Sequence, residues 1–248
     1  MNRREEFLQE MGLGPVWRRR QVKAAPAEVE PEPAAAPVET LETAPPVAAS
    51  PATGVSQLGW AELKSRVSEC ALCGLHSTRK QAVFGVGDER ADWLFVGEAP
   101  GEEEDAKGEP FVGQAGRLLD NMLKSIGLQR GREVYIANVL KCRPPGNRNP
   151  GPDEVACCKP YLQRQIELIQ PKLIVTLGKF AAQTLLGQEA SIASLRGTVH
   201  DYRGIPLVAT YHPAYLLRKL TEKARAWEDL CLARQTMEDA RRDKGAPS

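Results

Sequence analysis

Residues 92–101 read Asp-Trp-Leu-Phe-Val-Gly-Glu-Ala-Pro-Gly, a short apolar run that ends in a glycine-containing turn. The run from Trp93 to Val96 has the length and composition of a buried strand, and the turn that follows has the composition of a loop. A strand that is apolar at every position is buried on both faces, which is typical of a parallel sheet covered by helices. This stretch therefore predicts an α/β fold.

Strand-like and helix-like segments alternate through the chain that follows. The helix predicted at 114–126 has apolar residues at spacings of three and four, and Gly127 follows it as a stop signal. Further strands are predicted at 134–140, 173–177 and 207–211, and further helices at 153–169, 179–186 and 224–241. This alternation favours a mostly parallel, four-stranded central sheet with helices on both faces.

Polar residues follow three of the strands at the point where each strand ends. Gly97 and Glu98 close the first strand, Asn138 lies at the second, and His212 comes after the fourth. Ligands of open parallel sheets bind beyond the carboxyl ends of the strands, so we expect these residues to form one shared site. The alternative explanation for each residue alone is that polar loops commonly follow strands.

The chain of 248 residues has an ordinary globular composition, with 42% apolar residues, 26% charged residues and a net charge of +1. No apolar run is long enough to cross a membrane, and the N-terminus lacks the apolar core of a secretory signal. We therefore expect a cytoplasmic protein with no membrane partner.

Composition divides the chain into four segments. Residues 1–23 are basic, and residues 24–57 are rich in Pro, Ala and Glu. The second segment has too few bulky apolar residues to fold, so a disordered linker is predicted there. One folded domain is expected at 58–242, followed by a tail at 243–248.

Four of the six cysteines have a spacing that suggests a metal site. Cys70 and Cys73 form a C-x2-C pair, and 15 residues separate Cys142 from Cys158. Four thiolates can bind a zinc ion or a 4Fe-4S cluster, and the wide spacing of the second pair favours the cluster. The alternative is a set of buried free cysteines, which is the favoured interpretation for Cys231.

Three long motifs occur in a fixed order between residues 58 and 242. They are Gly-Glu-Ala-Pro-Gly-Glu-Glu-Glu-Asp at 97–105, Lys-Cys-Arg-Pro-Pro-Gly-Asn-Arg at 141–148 and His-Pro-Ala-Tyr-Leu-Leu-Arg at 212–218. Together with the C-x2-C pair, these motifs resemble the family 4 uracil-DNA glycosylases. The resemblance implies a three-layer α/β/α fold, a 4Fe-4S cluster, and hydrolytic removal of uracil from DNA that leaves an abasic site for base excision repair.

The resemblance also implies which cysteines bind the cluster. The family's ligands match Cys70, Cys73, Cys142 and Cys158. Cys158 is chosen over Cys157 because it directly precedes the Lys-Pro-Tyr-Leu run that follows the family's last ligand. Cys157 is then a spare thiol.

The uracil pocket implied by the resemblance lies near the same motifs. Phe111 matches an aromatic residue that stacks on uracil, and Gly97 and Ala99 belong to the turn after the first strand. The Asn138 amide has a donor and an acceptor that match O4 and N3–H of uracil, whereas cytosine presents the reverse pattern. Glu104 is expected to exclude the methyl group of thymine. The alternatives are a core Phe, a turn Asn and a solvated Glu.

Catalysis requires a group that stabilises the uracil anion and a group that positions water. His212 can donate a hydrogen bond to uracil O2 as negative charge develops there. Related families place an acidic or amide residue after the first strand to hold the water, but this chain has Ala99 at that place. Glu98 is the nearest carboxylate and Glu104 is a second candidate, and the sequence leaves the choice open.

DNA containing uracil is the expected partner of a monomeric protein. Tyr215 and Leu216 are expected to fill the gap that the flipped base leaves in the duplex. Phosphate contacts are expected from four basic residues, namely Arg143, Arg148, Arg218 and Lys219.

An alternative function is a catalytically silent, cluster-bearing DNA-binding module associated with replication. The presence of Glu98, Phe111, Asn138 and His212 in one chain favours the enzyme. A nucleoid-associated location in the cytoplasm follows from either function.

The basic segment 1–23 contains Phe7, Leu8, Met11 and Trp17. One hypothesis is a short helical peptide that folds on a repair or replication protein. The other is a nonspecific basic arm for DNA.

Overall fold

The computed structural model describes residues 54–243, which form a three-layer α/β/α arrangement around one sheet. Within that range the sheet has six strands in the order β1-β3-β2-β4-β6-β5. The strands are β1 (Val86–Gly87), β2 (Trp93–Gly97), β3 (Val134–Asn138), β4 (Leu173–Leu177), β5 (Val199–Tyr202) and β6 (Ile205–Thr210). The α-helices are α1 (Trp60–Ser68), α2 (Glu102–Lys107), α3 (Gln114–Ser125), α4 (Pro152–Ile169), α5 (Lys179–Leu186), α6 (Ile192–Leu195), α7 (Pro213–Arg218) and α8 (Lys223–Asp243).

The four inner strands β3, β2, β4 and β6 are parallel to one another. They are the four strands that the sequence predicts, so the α/β class and the parallel core are confirmed. The prediction of a four-stranded sheet is wrong, because β1 and β5 add an antiparallel edge strand on each side. Neither edge has a readable apolar run: β1 has two residues, and β5 contains His200 and the exposed Asp201.

Alternate residues of β2 face two separate apolar cores. Trp93 and Phe95 pack with residues of α3 and α8 on one face of the sheet, and Leu94 and Val96 pack with residues of α4 and α5 on the other. All five residues of β2 are buried. The sheet is therefore covered on both faces, and the loops at the strand ends remain free to carry chemistry.

The folded domain begins earlier than predicted. Val55 is 3% exposed and packs in a cluster with Leu63 and Tyr161, so residues 54–57 belong to the domain rather than to the linker. A single valine among small and polar residues gives no periodic signal. The predicted basic segment, the linker up to residue 53 and the tail from residue 244 lie outside the described residues. No helix in residues 54–243 is both long and apolar enough to cross a membrane.

Candidate active site

The carboxyl ends of β2, β3 and β6 open into one cavity of about 420 Å³. Glu98, Asn138 and His212 all line it. The structure thus brings together the three strand ends, as the position of ligands in parallel sheets predicts. A larger cavity of about 930 Å³ lies at the opposite ends of the strands, next to Lys172 and Ile205, and none of the predicted site residues lines it. We therefore place the candidate site in the smaller cavity.

Asn138 ends β3 and presents a buried amide to this cavity. The residue is 2% exposed, and its side-chain Oδ1 has no hydrogen-bond partner among residues 54–243. Lys141 Nζ donates to the Asn138 backbone carbonyl at 2.8 Å, which fixes the residue at the strand end. Leaving a buried acceptor unpaired costs free energy, so Oδ1 is ready to accept from a ligand in the cavity.

Gly97 ends β2 next to Asn138 and has no room for a side chain. A Cβ on Gly97 would contact Asn138 Oδ1 and would lie 2.6 Å from Phe111 Cζ. Glycine at this position therefore lets the amide and the aromatic ring approach the same space. Gly97 shapes the cavity and does not bind through a side chain of its own.

Phe111 has a left-handed backbone conformation, with a φ of 57°. The residue is 6% exposed and lines the cavity, and its ring centroid lies 5.5 Å from that of His212. Glu104 holds the backbone after Phe111, because its Oε1 accepts from the N–H of Val112 at 3.0 Å and of Gly113 at 3.4 Å. Glu104 lines the cavity as well, and its predicted exclusion of the thymine methyl group stays a prediction.

His212 is the N-cap of α7, and the cap fixes its tautomer. The backbone N–H of Ala214 donates to His212 Nδ1 at 3.1 Å, so the proton of the neutral ring is on Nε2. Burial lowers the pKa of His212 to about 4, with a smaller contribution of the same sign from Arg218. At neutral pH the side chain is therefore a neutral donor at Nε2.

Glu98 and Ala99 lie in the cavity wall directly after β2. Burial raises the pKa of the Glu98 carboxyl above its ordinary value. A carboxyl group with a raised pKa at a reaction site is suited to exchange a proton with water. The methyl side chain of Ala99 has no polar group for this role.

The rim of the cavity contains several of the residues predicted to contact DNA. Arg148, Tyr215 and Arg218 line the cavity directly. Arg143 lies behind the rim, where its Nε donates to Asn147 Oδ1 at 2.8 Å. Lys219 is exposed at the end of α7. The two ends of the rim thus come from the loop after β3 and from α7.

Leu216, which is predicted to contact DNA, is buried in this structure, and its contact with DNA stays a prediction. Leu216 is 1% exposed, because it lies on the face of α7 that packs into the core. The next residue, Leu217, is 39% exposed. Tyr215 lines the cavity, and its ring stacks on that of Tyr211 with the ring centroids 5.2 Å apart.

The four cysteines of the predicted metal site come from three parts of the fold. Cys70 and Cys73 follow α1, Cys142 follows β3, and Cys158 lies in α4. All four are free thiols, and Cys142 and Cys158 are each 3% exposed. Burial raises the pKa of Cys73 and of Cys142, and neighbouring thiols contribute a smaller shift of the same sign.

The surroundings of these thiols fit a group with negative charge. Arg79 Nη1 donates to Cys142 Sγ at 2.9 Å. Lys141 also lies near Cys142 and Cys158, but its burial lowers the pKa of the side chain to about 7, so Arg79 is the permanent positive charge here. Among the described residues, no three His, Cys, Asp or Glu side chains are gathered closely enough to hold a single metal ion. Four cysteine thiolates are a donor set that can hold a 4Fe-4S cluster or a zinc ion.

Lys141 is a site residue that the sequence analysis did not assign. It is 1% exposed, and its Nζ donates to Gln165 Oε1 at 2.6 Å as well as to the Asn138 carbonyl. The one sequence feature that could have identified it is its position between the end of an apolar strand and Cys142. Lys141 follows Asn138 and precedes Cys142 along the chain, and its two hydrogen bonds join the end of β3 to α4.

Comparison with known proteins agrees with this arrangement. A family model described as the uracil DNA glycosylase superfamily matches residues 84–231. The chain is 49% identical over 164 residues to a type-4 uracil-DNA glycosylase of Archaeoglobus fulgidus, a match that covers 63% of this chain and 82% of that protein. It is 46% identical over 165 residues to a type-4 uracil-DNA glycosylase of Thermotoga maritima, covering 66% and 85%. It is also 46% identical over 176 residues to one of Sulfurisphaera tokodaii, covering 65% and 80%. The chain therefore belongs to the uracil-DNA glycosylase superfamily.

Proposed function

We propose that this chain hydrolyses the N-glycosidic bond of uracil in DNA and leaves an abasic site for base excision repair. The observation that carries the proposal is the unpaired, buried Oδ1 of Asn138, which shares one cavity with the Phe111 ring and the neutral His212. The relatives that bear the name type-4 uracil-DNA glycosylase support the same activity.

Recognition of uracil is assigned to Phe111 and Asn138. A base that leaves the stack loses its neighbours, and the Phe111 ring offers a replacement surface. Asn138 Oδ1 accepts from N3–H of uracil, and the amide N–H of the same side chain donates to O4. Cytosine has an acceptor at N3 and a donor at C4, so both contacts become repulsive or unpaired.

Bond cleavage is assigned to His212 and Glu98. As the bond between C1′ and N1 breaks, the electron pair passes to the base and negative charge develops at O2. His212 Nε2–H donates to that oxygen without transferring a full charge, because the neutral ring is already oriented by its cap. Water adds to C1′, and we assign Glu98 to accept its proton, since its pKa is raised within the cavity wall.

Replacing Asn138 with aspartate tests this assignment of base recognition. The carboxylate can accept from the exocyclic amine of cytosine but cannot donate to O4 of uracil. We expect uracil release to fall by about tenfold to a hundredfold, the size of one or two lost hydrogen bonds, and the preference for uracil over cytosine to shrink. Single-turnover release of both bases, measured on matched oligonucleotides, checks this. Full uracil activity in the variant would contradict the assignment.

We also propose a 4Fe-4S cluster that is held by Cys70, Cys73, Cys142 and Cys158. The support is the donor set of four free thiols, with the Arg79 guanidinium bonded to Cys142 to balance the charge of the cluster. When bound, the cluster supplies a cross-link between the loop after α1, the segment after β3 and α4. Its role in the proposal is structural.

The N-terminal segment is proposed to act outside the catalytic step. Its apolar residues and its basic charge favour a peptide that binds a repair or replication protein. The chain itself is proposed to be a monomer in the cytoplasm. Deleting residues 1–53, which leaves the buried Val55 in place, should then leave uracil release from short oligonucleotides nearly unchanged, and the isolated segment 1–23 should capture a protein through Trp17. A loss of DNA affinity with a flatter salt dependence would instead identify a basic DNA arm.

A further inference from the structure

We propose that Arg130 is the residue that positions the uracil-stacking ring of Phe111. The inference rests on the proposed role of Phe111 in uracil binding. Arg130 lies in the loop between α3 and β3, and nothing in its sequence position connects it to the pocket. Its connection to Phe111 is made entirely by hydrogen bonds to the backbone.

The backbone at Phe111 needs an external restraint. With a φ of 57°, it adopts the left-handed conformation that a bulky side chain disfavours. Residues in such conformations persist only where the surrounding structure holds them, and they concentrate at functional sites. The conformation turns the ring into the cavity, so whatever holds the backbone also sets the ring.

Arg130 holds the two carbonyl groups at this turn. Its Nη1 donates to the Pro110 carbonyl and its Nη2 to the Phe111 carbonyl, each at 2.9 Å. Its Nε donates to Asp120 Oδ1 in α3 at 2.9 Å, which anchors the guanidinium itself. A planar guanidinium can make these three bonds in fixed directions, and a lysine ammonium cannot reproduce this planar fork.

The Phe111 carbonyl is enclosed from a second side by α3. A Cβ on Gly116 would collide with the Phe111 carbonyl oxygen and carbon, so glycine is required for the close approach. The following N–H groups of Val112 and Gly113 are held by Glu104. Arg130 therefore completes a restraint whose other two parts are Gly116 and Glu104.

This arrangement predicts an effect on substrate binding more than on bond cleavage. The Phe111 ring contacts the base before and during cleavage. A displaced ring therefore weakens the binding of the base in the ground state and in the transition state by similar amounts. The loss of such uniform binding raises KM and leaves kcat nearly unchanged. A merely structural arginine would instead lower the amount of folded enzyme without changing KM.

The test is a double-mutant cycle on the full chain with its cluster bound. The variants are Arg130→Ala, Phe111→Ala and the double variant, and Arg132→Ala is the control. Arg132 lies in the same exposed loop, and its side chain makes no hydrogen bond or ion pair to the described residues. It therefore reports the loss of one positive charge from this loop. KM and kcat are measured on a uracil-containing oligonucleotide, and the melting temperature is measured for every variant.

We expect Arg130→Ala to raise KM by about tenfold or more, the size of two lost charge-assisted hydrogen bonds, with kcat within about twofold of the wild type. Arg130→Lys should give a KM between those of the wild type and Arg130→Ala. It replaces Arg130→Ala in the cycle if the alanine variant folds poorly. The double variant should match Phe111→Ala alone, because Arg130 acts only through that ring.

Additive effects in the double variant, or a KM for Arg130→Ala equal to that of Arg132→Ala, would overturn the proposal. A Phe111→Ala variant with an unchanged KM would instead remove the stacking role itself, and with it the basis of the inference.

Discussion

Replacing His212 with alanine is expected to slow single-turnover release of uracil by about a hundredfold or more. This is the typical cost of losing one donor to a developing oxyanion. The donor here is pre-oriented, since the Ala214 N–H holds Nδ1 at 3.1 Å and leaves the proton on Nε2. Binding of uracil-containing DNA should change far less, because the contact strengthens only as charge develops. The measurement is a rapid-quench time course with enzyme in excess.

The matched control for this prediction is His200→Ala. His200 lies in β5 and bonds to the Leu195 carbonyl at 2.7 Å, away from the residues that line the cavity. Its replacement should leave the rate unchanged. An undiminished rate in His212→Ala would remove His212 from the mechanism.

The pH dependence follows from the pKa of about 4 in the folded protein, which is below the ordinary value of 6.5. Between these values the unfolded chain binds the proton and the folded chain does not. This group therefore destabilises the fold as the pH decreases from 6.5 to 4, and its effect is absent above 6.5. The rate should show no titration of His212 near pH 6.5, and the His212→Ala variant should lose that part of the acid sensitivity in thermal melts.

Replacing Cys158 with alanine is expected to remove most of the iron and to make the protein insoluble. The wild type, purified without oxygen, should contain about four iron atoms per chain, as one 4Fe-4S cluster requires. Cys158 is 3% exposed in α4, and the cross-link it makes would join α4 to Cys142 after β3 and to the loop at 70–73. Binding of a metal group at such a site adds directly to the free energy of folding. Iron content and the soluble fraction are the two measurements.

Two other cysteines supply the controls. Cys157 is the neighbour of Cys158 but is only partly buried, and its Sγ contacts the Leu72 carbonyl at 3.4 Å. Cys231 lies in α8, far along the chain from the four proposed ligands. Alanine at either position should leave the iron in place. Stoichiometric zinc without iron in protein from iron-replete cells would contradict the cluster.

The predictable part of the fold is the part with continuous apolar runs. Strand β4 was predicted with its observed bounds, and so was α5, because both are apolar segments bounded by loop residues. Helix α2 was missed because its residues are mostly acidic and give no apolar stripe. The edge strands were missed for a similar reason, since a short or half-exposed strand lacks the run that identified the others.

The predictable part of the site is the part that follows from topology. The ends of parallel strands meet, so Glu98, Asn138 and His212 could be grouped from the sequence. The burial of Leu216 could not be predicted, because it depends on which face of α7 packs inward, and one short motif does not determine that face. Arg130 was not found because it acts on carbonyl groups 19 and 20 residues away, and backbone contacts of that kind leave no pattern in side-chain types.

The most direct test of the account is strand cleavage of an end-labelled oligonucleotide that contains one uracil, incubated with the protein and then heated in alkali. Alkali breaks the strand only at an abasic site. The account predicts a single cut at the uracil after alkali, no cut without alkali, and no cut in the matched oligonucleotide with thymine. Tight binding of the oligonucleotide with no alkali-labile site would contradict the account and would identify a catalytically silent DNA-binding protein.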